Sequence, residues 1–250
     1  MPHPYSPSTA SSTHIMAGEL NETVVNATGE VVVGFTWPGL PPSFLRDVCE
    51  TISNVIVILV TVIIAYKCAK LRLTRTAAHA FYCLVGMVLF VTQAFLLASP
   101  ALHASFGLVG VLIGFVGVGA QILHMRANAQ KHFTTNHSIF GLATCFLLLA
   151  TLITGLYPSC QPLARMSEIN ALFAHRICGL LSFVLLMTSL IFSFNSGFMH
   201  CNWDHRAIVC FKSWVLLATF LAASTQLVAV VVTLLIISPF SIFASKSKFS

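Results

Sequence analysis

The sequence predicts an all-α, polytopic membrane protein with six transmembrane helices, of which helices two to five form the core. Three observations carry that prediction. Hydrophobic residue types make up 57% of the 250 residues, charged types only 8%, and the mean hydropathy is +0.89; a soluble domain carries about 25% charged residues. The seven acids stay out of the apolar runs: Glu19, Glu22, Glu30, Asp47 and Glu50 precede the first, and Glu168 and Asp204 fall in later polar breaks. That is the distribution expected when a charge in lipid costs several kcal/mol. Finally, six apolar runs are each long enough to cross a core of about 30 Å at about 1.5 Å per residue.

In chain order, residues 1–43 are rich in Pro, Ser, Thr and Gly, lack a helical period, and read as a disordered polar arm. The arm has neither the basic start nor the apolar centre of a signal peptide. It holds two glycosylation sequons, at Asn21 and Asn26, which matter only if this end is lumenal. The transmembrane domain covers 44–240, with runs near 48–66, 78–98, 103–123, 138–157, 171–194 and 211–237. Only "SPAL", Ser99 to Leu102, joins the second and third, which predicts a tight antiparallel hairpin. Pro158 and Pro162 end the fourth. Residues 241–250 form a short basic tail. Six helices satisfy their own backbone groups in lipid without a sheet edge.

The net charge of +6 lies in the loops, densest at Lys67, Lys70, Arg72 and Arg75. This is a short juxtamembrane stretch, whereas nucleic acid needs a broad basic face. The expected partner is the lipid bilayer, and no nucleic acid. Eight cysteines are scattered with no C-x-x-C. "HCNWDHRAIVC", His200 to Cys210, gathers two His and two Cys, but the spacing fits no standard zinc pattern.

Four of the ten histidines, His79, His103, His137 and His175, open four successive runs, the second to the fifth. Successive membrane helices run antiparallel, so His79 and His137 share one face of the membrane, and His103 and His175 share the other. The sequence thus predicts two histidine pairs, one per leaflet. A small residue follows each histidine one turn on: Cys83, Gly107, Gly141 and Gly179. The third run carries a longer stripe, Gly107, Gly110, Gly114 and Gly117. A small residue at that point leaves a slot beside the imidazole for a flat macrocycle, and two neutral imidazoles are the axial ligands of a low-spin b-type haem. A glycine stripe is also a common helix-packing face in membranes, and a lone interfacial histidine is often simply solvated. The four-fold pattern with matched faces favours the ligand reading, with two haem b and their iron held by His79, His137, His103 and His175.

The order of these histidines and the phrases "QILHMRANAQKHFTTNHSIFGL", "GLYP" and "FAHRICGL" resemble the cytochrome b561 family, and within it the branch of the cytochrome b561 domain-containing protein 2 type. The resemblance covers roughly residues 75–195. Departures are Ala80 where the family has proline after the first histidine, Gln93 in place of an acid, and a short uncharged connection between helices two and three. The resemblance implies a transmembrane oxidoreductase. Ascorbate on one side would donate electrons through two b haems to monodehydroascorbate or a ferric chelate on the other.

An anionic donor needs cations. Arg126, Lys131 and His132 flank the His79/His137 pair, and Arg165 and Arg176 flank the other, so these are the substrate-binding candidates; the bland alternative is that they orient the chain and meet lipid headgroups. The charge bias makes the face with Lys67 and Lys131 cytosolic and the N-terminus lumenal. The family arrangement puts both termini in the cytosol, and is preferred here because long arms obey the charge rule poorly. A homodimer stays open, as does the choice between endomembrane and plasma membrane. The rival to a reductase is a non-redox transporter or proton channel that uses intramembrane histidines as relays.

Overall fold

The computed structural model describes residues 23–25, 31–33, 44–73, 76–97, 99–129, 131, 133–156 and 168–246. In the arm, β1 (Thr23–Val25) pairs antiparallel with β2 (Val31–Val33), Val24 opposite Val32. These β-branched triplets suit a ladder. The sequons at Asn21 and Asn26 lie outside the described residues.

The rest is helical: α1 (Phe44–Lys70), α2 (Thr76–Leu96), α3 (Pro100–Ala127), α4 (Asn136–Leu156), α5 (Glu168–Ser193), the short α6 (Gly197–Asn202) and α7 (His205–Lys246). Six of them are long and apolar enough to cross a membrane, as α1 to α5 and the first part of α7. The chain is therefore an integral, multi-pass membrane protein with an all-α transmembrane part. Its outward side chains agree. Val62, Leu123, Ile153 and Phe220 are each more than half exposed, as a lipid-facing surface requires. Phe183, Met187, Phe194, Ile208 and Val215 are buried between the helices.

Helix ends refine the sequence reading. Leu97 is extended (φ −79°, ψ 130°), as is Ser99 (φ −74°, ψ 119°), and Pro100 occupies the first position of α3. The expected four-residue link therefore shrinks, because proline's fixed φ and missing N–H suit the first helical turn. α1 runs past its apolar stretch to Lys67 and Lys70, which meet the negative end of its dipole. The middle of α2, Leu84–Val91, winds as a π-helix.

Two antiparallel hairpins, α2–α3 and α4–α5, make most of their helix contacts internally and few with each other; α7 packs on α5. The glycine stripe belongs to the first hairpin. A Cβ on Gly110 would lie 2.8 Å from the Gly86 carbonyl and from Phe90 Cβ, one on Gly117 would lie 2.9 Å from Cys83 Sγ, and one on Gly114 would collide with Met87. Gly110, Gly114 and Gly117 thus let α2 and α3 backbones touch. They form a packing seam between α2 and α3, whereas Gly107, one turn past His103, meets only Ala94 Cβ at 3.7 Å. Polar bonds attach α1: Gln93 Nε2 donates to Asn54 Oδ1 (2.5 Å), and Ser53 Oγ donates to the Ala218 carbonyl (2.9 Å) in α7. Each satisfies groups that lipid would leave unpaired.

Candidate functional site

Across the two hairpins the histidines meet in two separate pairs. His79 and His137 approach with ring centroids 5.9 Å apart and planes 75° apart; His103 and His175 do so at 5.6 Å and 73°. Metal–imidazole bonds of about 2 Å on either side of one ion put two ring centroids about 6 Å apart. Both pairs meet that separation.

The histidines do not occupy one common helix position. His79 and His103 lie in the first turn of α2 and α3, and His137 follows the first residue of α4. His175 lies two turns inside α5, which begins at Glu168. The added turns carry Glu168 and Asn170, so the apolar run alone does not mark the start of this helix.

Every ring is oriented by a backbone carbonyl of its own hairpin partner. His79 Nδ1 donates to Gly117 O in α3 (3.1 Å), and His103 Nδ1 donates to Ala94 O in α2 (2.7 Å). The second hairpin repeats the scheme: His137 Nδ1 to Ser189 O in α5 (2.9 Å), and His175 Nδ1 to Thr151 O in α4 (2.9 Å). A carbonyl only accepts, so each Nδ1 carries the proton and each Nε2 keeps a lone pair. This is the arrangement of metal-ligating histidines, where a second acceptor fixes tautomer and ring plane.

The small residue one turn past each histidine has a clear local role. A Cβ on Gly107 would meet Ala94 Cβ at 3.7 Å, one on Gly141 would meet Ser189 Oγ at 3.3 Å, and one on Gly179 would meet Thr151 Cγ2 at 3.8 Å. These are the residues whose carbonyls hold His103, His137 and His175. In the fourth case the small partner is reversed: Cys83 follows His79, and glycine stands at the acceptor, Gly117. Each small residue thus sits beside the partner helix that orients its histidine, with a close approach at Gly141 and Gly117 and an ordinary contact at Gly107 and Gly179. Gly155 makes room for a ring itself, since a Cβ there would sit 2.9 Å from His175 Cε1.

A cavity of about 370 Å³ lies between the hairpins at the first pair. His79, His137, Cys83, Gly141 and Leu186 contribute to its wall, and Gln121, Thr134 and Ser138 stand nearer the α3–α4 connection. Gln121 Oε1 is buried there with no hydrogen-bond partner among the described residues. An apolar cavity beside two lone-pair nitrogens fits a flat, metal-bearing macrocycle. The second pair fits an axial ligand set by the same carbonyl geometry and centroid separation.

Of the other predicted site residues, Arg126 and Lys131 are exposed, next in sequence to the cavity residue Met125 and close to another, Phe133. Arg176 is exposed beside His175. His132 and Arg165 lie outside the described residues. His124 is engaged by Asn128 (Nδ2 to the His124 carbonyl, 2.7 Å) at the end of α3. Among the described residues no three or more His, Cys, Asp or Glu side chains converge as a metal site, so His200, Cys201 and His205 are not gathered for zinc. The carbonyl acceptors Gly117, Ala94, Ser189 and Thr151 escape sequence reasoning, because any residue has a carbonyl; their common small or β-branched size is the only trace.

Residues 78–201 match the family described as eukaryotic cytochrome b561. No curated protein and no solved structure matches the chain.

Proposed function

We propose, on the match of residues 78–201 to the eukaryotic cytochrome b561 family, that this chain carries out transmembrane electron transfer through b-type haem, as a reductase with two b haems. His79 and His137 hold one haem, and His103 and His175 hold the other. The observation that carries the reading is the set of four Nδ1-to-carbonyl bonds, which leave four Nε2 lone pairs in two facing pairs. Bound there, haem iron supplies the one-electron chemistry.

The chain's own part is positional and electrostatic. Carbonyls hold each imidazole in one tautomer and plane. Apolar side chains, such as Leu186 at the first pair, line the space beside the rings. Ascorbate is the proposed donor and monodehydroascorbate or a ferric chelate the proposed acceptor. Arg126, Lys131 and His132 are the proposed docking cations at the His79/His137 face, and Arg165 and Arg176 at the other. We place the chain in the domain-containing protein 2 branch on the phrases quoted above, with both termini cytosolic.

The test is a reduced-minus-oxidised spectrum of purified protein with a haem-to-protein ratio. The expected result is a b-type signal at about two haems per chain; a folded, colourless protein overturns the reading. Ascorbate added to one side of sealed vesicles then reads donor and orientation together. Reduction from neither side overturns the choice of donor. Glycosidase-sensitive glycans on Asn21 or Asn26 overturn the orientation.

A further inference from the structure

The two imidazole pairs have unequal surroundings, and we propose that Ser189 and Cys83 are positioning residues that tune the His79/His137 haem and leave the His103/His175 haem untouched. The inference rests on the haem reading above and adds a side-chain origin for a difference between the two centres.

Around the first pair, each Nδ1 has a second, side-chain acceptor besides its carbonyl. Ser189 Oγ donates to the His137 carbonyl (3.0 Å), which turns its lone pairs toward His137 Nδ1 at 3.1 Å. Cys83 Sγ lies 3.7 Å from the Gly114 carbonyl, to which its S–H donates, and 3.6 Å from His79 Nδ1. His137 N–H is therefore shared between Ser189 O and Ser189 Oγ, and His79 N–H between Gly117 O and Cys83 Sγ. Among the described residues, His103 Nδ1 and His175 Nδ1 each meet a carbonyl alone, Ala94 O and Thr151 O. The Thr151 hydroxyl is spent inside its own helix, donating to Leu147 O at 2.8 Å.

Acceptors at Nδ1–H pull the ring toward imidazolate and raise its basicity at Nε2. A more basic axial ligand favours the ferric state and lowers the midpoint potential of its haem. A second acceptor also narrows the range of ring planes. Ser189 is buried, at 4% exposure, so its hydroxyl acts on His137 without competition from water. The weaker sulfur contact at His79 acts in the same direction with smaller effect.

The experiment is anaerobic potentiometry of the purified two-haem protein, monitored in the visible region, with low-temperature EPR of the ferric state. The component abolished by His79→Ala identifies the first centre. Ser189→Ala is expected to raise the midpoint of that component alone and to shift its low-spin g values; Ser189→Thr, which keeps the hydroxyl, restores both. Cys83→Ala gives a smaller upward shift of the same component and serves as the reading if Ser189→Ala does not fold. No shift, a shift of both components alike, or a Ser189→Thr variant that behaves as Ser189→Ala overturns the inference while the haem reading stands. A wild-type protein without b-type haem overturns that reading and this inference with it.

Discussion

A Cβ added to Gly155 in α4 would stand 2.9 Å from Cε1 and 3.0 Å from Nδ1 of His175 in α5. The ring occupies the space that the glycine leaves. Gly155→Ala must therefore displace an imidazole, and overpacking of this kind costs about 1–3 kcal/mol. We expect haem content to fall from about two per chain to about one, with the loss confined to the component that His175→Ala removes. Full occupancy of both centres in a folded Gly155→Ala protein would count against this placement of His175.

The pairing itself is open to a direct test. His79→Ala and His137→Ala should delete the same spectral component, and His103→Ala and His175→Ala the other. If His79→Ala and His103→Ala delete one component between them, the ligands pair within hairpins and the assignment is wrong.

Glycine substitutions separate packing from cofactor space. At Gly110 a Cβ would press on the Gly86 carbonyl and Phe90 at 2.8 Å, so Gly110→Ala should destabilise the fold by about 1–3 kcal/mol and lower its thermal midpoint. At Gly107 and Gly179 the nearest protein atoms would be 3.7 and 3.8 Å away, an ordinary contact. Gly107→Ala and Gly179→Ala should therefore fold normally. Loss of the His103/His175 component in either folded variant would mean that the porphyrin edge uses that space; retention would limit these glycines to helix contact.

The bond from Gln93 to Asn54 ties α2 to α1 inside the bilayer. Intramembrane bonds of this sort are worth about 0.6–2 kcal/mol. Asn54→Leu should lower stability to denaturing detergent by about that amount, and the double variant with Gln93→Leu should recover part of it. Equal stability of the single variant and the parent would show that the bond contributes nothing net.

Much of the architecture was legible in composition and periodicity. The six spans follow from runs without carboxylates, and antiparallel helices alone put His79 on the same side of the membrane as His137, and His103 on the same side as His175. What escaped the sequence are facts about contact. That Gly110 serves α3's seam with α2 depends on which side of α3 meets its neighbour, which a period of 3.6 residues does not specify. The depth of His175 escaped because α5 opens with polar residues, Glu168 and Asn170, that an apolar run cannot register. The π-wound stretch at Leu84–Val91 has no sequence mark that distinguishes it from the α-helix on either side. Ser189 reads as one more small polar residue until its carbonyl and hydroxyl are seen at His137.

Because each imidazole is steered by the other strand of its own hairpin, all four are aimed before the two hairpins meet. Each hairpin inserted alone would carry one finished half-socket at either membrane surface and no complete one. Direct protein contact between the hairpins is sparse, so the prosthetic groups themselves would serve as the rivets of the bundle. Haem-starved protein should then be two correctly wound hairpins joined loosely, in which supply of the cofactor sets the rate and yield of assembly.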